Sequence, residues 1–294
     1  MRYSLRQLEV FVAIARAESV SAAAEELAMS QSAASSALAE IERQFDVRLF
    51  DRIGKRLRLS ELGRSLRPRA EAVLDQAREL EDHLASDAEG GHLRVGATLT
   101  IGHYLAVPLM ARFLRERPGV RVGLDIANTA EIVRRVANFE ADVGLIEGEV
   151  SAPDLTVEPF RDDELVVFSA PSHAPARKRS LRDEDLRAVD WIVREPGSGT
   201  RQTFERALAG LVPDLRLTLE LRDIEVIKRA VEAGLGMGCV SRIALSEELA
   251  RRTLVLRPVP HRDFRRRFSF VLHRQKHVGP ALQHWIDLCR RGDG

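Results

Sequence analysis

The apolar periodicity of this 294-residue chain changes once, at Gly90-Gly91, and that change limits the fold more than any other feature. From Leu5 to Leu84 apolar residues recur at helical spacing, with period-two alternation only near Leu57 and Leu59. Beyond Gly91, short β-rich runs alternate with amphipathic helices: His92 to Ala97, Ile101 to Arg115, Val120 to Ala127, Glu131 to Asn138 and Ala141 to Ile146. That βαβαβ rhythm predicts an α/β fold with a largely parallel sheet and right-handed crossovers. It repeats from Asp190 to Arg194, through a helix from Thr200, Leu215 to Leu221, a helix from Asp223 to Ala233, and Met237 to Val240. Leu165 to Ala170 leads into this second lobe, Phe268 to Leu272 leads back, and Gly279 to Leu288 forms a last helix, so the first lobe is discontinuous in sequence.

Charge balance removes several function classes. With 45 Lys and Arg against 44 Asp and Glu, the net charge of +1 gives no global attraction to nucleic acid or to an anionic membrane. The two cysteines, Cys239 and Cys289, are far apart in apolar surroundings, which fits a reducing compartment. Met1 to Leu8 lacks the apolar core of a signal peptide, and no run approaches the roughly 18 apolar residues of a membrane span. A cytoplasmic protein with no membrane partner is expected.

Leu5, Leu8, Phe11, Val12 and Ala15 share one helix face, and a short helix from Ser21 to Leu27 follows, with Ser21 placed to cap it. Ala28-Met29-Ser30 forms a turn, and Ser30 can cap a third helix whose Ala34, Leu38, Ile41 and Phe45 face inward. Its outer face begins with Gln31, Ser32, Ser35 and Ser36, short polar side chains that let a helix approach base edges in a major groove. Arg48, Arg52, Lys55, Arg56 and Arg58 follow around Ile53-Gly54 as a basic β-wing, and residues 43–69 hold nine basic against three acidic side chains. A bundle with a merely solvated serine face would not need that adjoining phosphate-neutralising cluster.

Ser60 opens a long helix in which Leu66, Ala70, Val73, Ala77, Leu80 and Leu84 repeat at alternating spacings of four and three, a heptad seam that predicts pairing with a second copy. Pro68 predicts a local bend.

Through Phe11-Val12-Ala13, Ser19-Val20-Ser21-Ala22-Ala23-Ala24, Ser30-Gln31-Ser32-Ala33 and Leu49-Phe50-Asp51-Arg52, the chain resembles the LysR-type transcriptional regulators. The resemblance implies a winged helix-turn-helix DNA-binding domain over residues 1–59, a linker and dimerisation helix over 60–90, and a two-lobed periplasmic-binding-protein-like effector domain over 91–294, with lobe I about 91–165 and 268–294 and lobe II about 166–267. It implies a ligand-responsive regulator that binds double-stranded promoter DNA as a homodimer or homotetramer, with RNA polymerase as a further partner. Gln31, Ser32, Ser35, Arg52, Lys55 and Arg56 match the family's DNA-contacting positions, whereas many members carry proline in place of Ser32 and arginine in place of Ser36.

In such a two-lobed fold, ligand binds between the lobes at the carboxyl ends of the parallel strands. The loops there carry Thr98, Thr100 and Ile101, then Asn128 and Thr129, then Glu147, and from the other lobe Arg194, Ser198, Gly199, Thr200 and Arg201. Thr100, Thr129 and Thr200 each have an ordinary alternative role as helix caps. Their convergence beside Arg194 and Arg201 favours a small oxyanion or carboxylate, while Glu147 would repel an anion or demand a cationic group. The Thr-x-Thr and Gly-Ser-Gly-Thr-Arg segments look like those of members that respond to sulfite, sulfate or small metabolite acids.

Nothing in the sequence carries catalysis. Gly197-Ser198-Gly199 is not a nucleophile elbow, the eight histidines lack zinc-ligand spacing, and Gly234-Leu235-Gly236-Met237-Gly238 precedes a strand, as close packing requires, instead of opening a helix. No enzyme activity, cofactor or metal is expected. The competing reading is a two-lobed small-molecule binding protein or enzyme whose N-terminal helices only dimerise; the wing arginines and the missing export signal speak against it.

Overall fold

The computed structural model describes residues 3–53, 56–85, 91–173 and 180–291. They form two compact units, Met1–Gly91 with Gln275–His277, and His92–Arg274 with Val278–Gly294.

In the first unit, α1 (Leu5–Ala17) starts in a capping box between Ser4 and Gln7. Helix α2 (Val20–Glu26) starts one residue earlier than its apolar spacing predicts, so the cap is Ser19, whose hydroxyl accepts the Ala22 N–H, and not Ser21. Ser30 caps α3 (Gln31–Phe45) through the Ala33 N–H. The strands β1 (Phe50–Ile53) and β2 (Arg56–Leu59) pair as an antiparallel hairpin. Helix α4 (Glu61–Ala85) contains Pro68, and the Ser60 hydroxyl at its start accepts from Gly63 N at 3.0 Å and donates to the Arg48 carbonyl at 2.7 Å. Phe11, Ile14, Ala34, Leu38, Ile41 and Phe50 build the core, with Phe11 and Phe50 edge to face at 5.8 Å.

The heptad seam divides. Ala70 is buried in this core with Leu66 packed against it, and Leu74, off the predicted stripe, is buried there as well. Val73 and Leu80 are 39% and 61% exposed, Ala77 is half-buried, and the Leu84 side chain lies outside the described residues. Leu66 and Ala70 are therefore claimed by their own unit because α4 must cover α1, and Val73 and Leu80 are left facing outward. Glu71 sits on the inner side, buried between Arg16 and Arg67 at 3.4 and 3.2 Å; burial pushes its carboxyl above the ordinary range against the pull of the two guanidiniums.

In the second unit, β3 (His92–Thr98), β4 (Arg121–Ala127) and β5 (Val143–Glu147) form a parallel sheet with β3 central. The connections are α5 (Leu99–Ile101), a π-helical turn Gly102–Ala106, α6 (Val107–Glu116), and α7 (Thr129–Ala137). Strand β6 (Leu155–Ser169) then runs into lobe II. There α8 (Asp183–Ala188), β7 (Asp190–Arg194), α9 (Gly199–Ala207), β8 (Arg216–Leu221), α10 (Ile224–Glu232), β9 (Met237–Ser241), α11 (Ser246–Arg251) and β10 (Val255–Leu256) follow. Strand β11 (Arg265–His273) returns to lobe I, where α12 (Pro280–Arg291) ends the fold. The strand order β4-β3-β5-β11-β6-β9-β7-β8 has parallel flanks and an antiparallel centre, with β10 added to β6.

The centre is the hinge. Strands β6 and β11 pair from Leu155↔His273 to Glu164↔Arg265, with a bulge at Phe160. Apolar runs mark only the ends of these strands; their polar middle, with Pro159, Arg161 and Asp162, hides ten further residues of β6 ahead of Leu165. Lobe I packs on Phe113, Phe268, Phe270 and Trp285, and lobe II on Trp191, Phe204 and Leu211. Gly238 serves close packing, since a Cβ there would stand 2.5 Å from the Phe168 ring.

Among the described residues no helix is long and apolar enough to cross a membrane. Gly63, at the start of α4, lies so close to the hairpin that a Cβ would stand 2.1 Å from the Leu49 carbonyl oxygen. Gly63→Ala is expected to destabilise the first unit by about 1 to 3 kcal/mol, read as a lower denaturant midpoint.

Candidate functional site

The Ala34, Leu38 and Ile41 face of α3 is buried, so the opposite face, Gln31, Ser32, Ser35 and Ser36, is exposed at and just beyond the helix start. The Ser32 and Ser30 hydroxyls lie 3.0 Å apart, and the positive end of the α3 dipole adds to the donors presented there. In the hairpin, Arg52 lies opposite Leu57 and Arg56 opposite Ile53. Arg48 and Arg58 are exposed. Lys55 and the side chains of Arg52 and Arg56 lie outside the described residues.

The interlobe cleft is built around Arg266, a residue the sequence pattern does not nominate. It lies on β11, its side chain is 2% exposed, and it reaches four groups at once. Nε donates to Asp163 of β6 at 2.6 Å, Nη1 donates to the Thr200 hydroxyl at 3.0 Å, Nη2 stands 2.5 Å from Glu147, and the guanidinium lies 5.5 Å from the Phe268 ring centre. Asp163 also accepts from the Ser241 hydroxyl at 2.6 Å. Glu147, expected as an unpaired carboxylate, is thus matched by Arg266, because lobe I and the hinge bring them together. Arg266 Nη2 and Glu147 Oε2 are each other's partner, a buried ion pair.

The helix starts serve differently from the capping role that their threonines offer. Asn128 caps α7 and Ser198 caps α9, which leaves the threonine hydroxyls for other work. Thr129 donates to the Glu147 carbonyl at 2.9 Å and accepts the Gly199 N–H of lobe II at 3.0 Å. Ala130 N donates to the Gly197 carbonyl at 3.1 Å, and the Asn128 amide to Glu195 at 3.2 Å, so the starts of α7 and α9 are bonded directly across the cleft. Gly199 is required at this approach: a Cβ would stand 1.8 Å from the Glu147 carbonyl oxygen. Thr98 donates to the Leu145 carbonyl at 3.5 Å, Ile101 is buried in the lobe I core, and the Thr100 hydroxyl is fully buried with no hydrogen-bond partner.

The two cleft arginines from lobe II have partners of their own. Arg194 is buried and chelated by Glu195 at 2.8 and 2.9 Å, with Nη1 left unpartnered. Arg201 pairs with Glu205 at 2.5 Å and donates to the Arg194 carbonyl at 2.9 Å, so its charge is spent along α9.

On another side of the cleft, Tyr104 of the π-helical turn donates to Glu225 of α10 at 2.5 Å. Lys228 pairs with Glu225 at 2.7 Å and Glu248 at 2.8 Å. Desolvation works to lower the Lys228 ammonium, but its two carboxylates outweigh that and raise it. Desolvation and the Glu225 carboxylate together raise the Tyr104 hydroxyl. Glu225 is held below its ordinary value because Lys228 and Tyr104 outweigh its own burial. Both cysteines are buried; desolvation pushes the Cys289 thiol up to about 12 and Cys239 higher still, which leaves neither as a thiolate. Among the described residues no group of three His, Cys, Asp or Glu side chains is placed to hold a metal.

Residues 5–64 match the family described as bacterial regulatory helix-turn-helix protein, lysR family, and residues 86–293 match the LysR substrate binding domain. The chain is 40% identical to the uncharacterized HTH-type transcriptional regulator YeiE of Escherichia coli (strain K12) across 98% of each chain. A cysteine-to-aspartate variant of full-length OxyR from Pseudomonas aeruginosa has the same fold, with a TM-score of 0.72 at 22% identity over 99% of this chain and 95% of that one. The regulatory domain of CcmR from Synechocystis PCC6803, solved in complex with 2-PG, aligns at 29% identity and a TM-score of 0.63 over 69% of this chain and 96% of that one. The chain therefore belongs to the LysR family of bacterial transcriptional regulators: it is a DNA-binding regulator with a small-molecule effector domain, not an enzyme.

Proposed function

We propose that the effector is a small anion, with sulfite, sulfate or a small carboxylate as the chemical class, bound in the cleft of residues 91–294. The observation that carries this reading is a pair of buried donors without partners in the effector domain, the Thr100 hydroxyl and Arg194 Nη1. Buried donors without partners are costly, and an oxyanion supplies the acceptors they lack. The 2-PG in the CcmR domain, itself a small anionic acid, supports the same class. Arg266 is already matched by Glu147 and Asp163, so an anion is held by directed hydrogen bonds and not by excess positive charge. In this reading Thr98, Thr129, Ser198, Gly199 and Thr200 belong to the same ligand site, with Arg201 beside them.

In the same reading, residues 1–59 read promoter DNA in the cytoplasm, residues 60–90 pair two copies, and two such dimers assemble on the promoter, where RNA polymerase is met. Gln31 and Ser35 contact bases, with Ser32 and Ser36 beside them, while Arg52, Lys55 and Arg56 contact phosphates. Val73 and Leu80, outward-facing on α4, pair with their counterparts, and Leu84 joins them by sequence spacing alone.

Three outcomes are expected. Thr100→Val keeps the side-chain shape and deletes one unpartnered hydroxyl, so binding of the correct anion weakens by about 1 to 2 kcal/mol in calorimetry while DNA affinity without ligand is unchanged. A screen in which sulfite, sulfate, 2-phosphoglycolate and simple carboxylates give neither heat nor a melting shift overturns the anion reading. Gln31→Ala loses roughly 1 to 3 kcal/mol on the cognate site and much less on random DNA, whereas Arg52→Ala with Lys55→Ala weakens both and lowers the salt slope by about one per phosphate contact. Equal losses on both DNAs from Gln31→Ala would move that side chain to the backbone. Val73→Glu with Leu80→Glu shifts the protein toward monomer in light scattering, since two charges enter a dry seam; a variant that stays dimeric places the dimer contact elsewhere.

A further inference from the structure

Tyr104 stands on a π-helical turn, an irregularity that inserts one extra residue into a helix and redirects the side chains around it. The turn is tightly set, because a Cβ on Gly102 would lie 2.8 Å from Ile126. It carries the Tyr104 hydroxyl out of lobe I to a 2.5 Å hydrogen bond with Glu225 at the start of α10 in lobe II. The same hydroxyl accepts from Lys228 at 3.3 Å, so both of its hydrogen-bonding capacities are engaged by the opposite lobe. Lys228 is fixed in place: its side chain is 6% exposed, it donates to the Ala244 carbonyl at 3.0 Å, and it pairs with Glu248. Glu225, by contrast, is 48% exposed, so water competes for its carboxylate.

The contacts between the α7 and α9 starts are of another kind. Thr129, Gly199 and Glu195 are buried, and their interlobe bonds are shielded from water. The lobes thus meet at one sealed seam and at two polar contacts open to solvent, Tyr104 with Glu225 and Lys228, and Glu149 with Gln202 and Arg206. The second adjoins the seam on α9, whereas the Tyr104 contact joins separate elements, the π-helical turn and α10, and is where separation starts.

We propose that Tyr104, Glu225 and Lys228 form a latch that holds the two lobes together without ligand, and that an effector enters and leaves by opening it. The charged acceptor makes the Tyr104 bond strong while closed, and solvent access to Glu225 makes it breakable. The latch concerns access and not effector chemistry, so it stands or falls separately from the anion reading.

Hydrogen–deuterium exchange on the full-length protein without ligand tests it. Tyr104→Phe keeps the ring and deletes the hydroxyl; Glu225→Ala removes the exposed acceptor. Each is expected to speed exchange at residues 98–101 and 198–201, which line the cleft, by roughly tenfold, the factor that one lost hydrogen bond supplies. The double variant should be no faster than the faster single one, because both delete the same contact. Strands Val143–Glu147 and Met237–Ser241, inside the lobes, should keep the wild-type rate. Unchanged exchange at the cleft in both variants overturns the latch. So does equal acceleration in the cleft and inside the lobes, because the residues would then support the fold as a whole.

Discussion

Burying the Arg266 guanidinium is the demand around which the effector domain is arranged. A buried charge is tolerated only with close partners, and its penalty without them is several kcal/mol. Its partners come from every part of the domain: Glu147 ends β5 of lobe I, Asp163 lies on β6, Thr200 opens α9 of lobe II, and Arg266 itself rides β11. The β6–β11 register sets Arg266 directly opposite Asp163, so one antiparallel pairing fixes both the hinge and the charge at its centre. Removing Glu147 or Asp163 alone would leave an under-matched cation, which binds the two lobes to one shared electrostatic condition.

That arrangement explains why the cleft is not simply a cationic hole. One guanidinium faces two carboxylates here, and Arg194 is taken up by Glu195. Selection among ligands then rests on geometry: the buried donors left over are few, and each demands an acceptor in a defined direction. A ligand that merely carries negative charge gains little from such a site, whereas one that satisfies the Thr100 hydroxyl and Arg194 Nη1 gains on each contact.

Much of this was legible in the sequence. The helix-turn-helix could be read because its core spacing and polar leading face are local, and the lobes because strand and helix periods alternate cleanly from His92 onward. The caps slipped by one or two residues, Ser19 for Ser21 and Asn128 and Ser198 for the threonines, because several adjacent residues there are competent caps and only backbone geometry chooses. Arg266 stayed hidden inside Arg265-Arg266-Arg267, which looks like a solvated run. Its signal was the period-two series Phe264, Arg266, Phe268, which places the middle arginine on the buried face. Tyr104 offered no such signal, since a π-helical turn has no sequence period. The division of the α4 seam was equally invisible, because a heptad stripe does not say whether its first turns meet a second copy or their own unit.

Bonds that close the cleft without ligand also limit what an effector can do. A ligand shifts the lobes only through its difference in affinity between forms, and moving a population from 1:99 to 99:1 takes about 5.5 kcal/mol. The best small ligands gain at most about 1.5 kcal/mol per non-hydrogen atom, so an oxyanion of about four such atoms commands roughly 6 kcal/mol in all. Nearly the whole of that would have to be absent in the disfavoured form. An effector of this size therefore works as a full switch only where the two forms are already close in free energy. Direct interlobe contacts of opposite character bear on that balance: the shielded bonds at Thr129 and Gly199 favour the closed form, and the pairing at Glu225 adds to it a contact for which water competes.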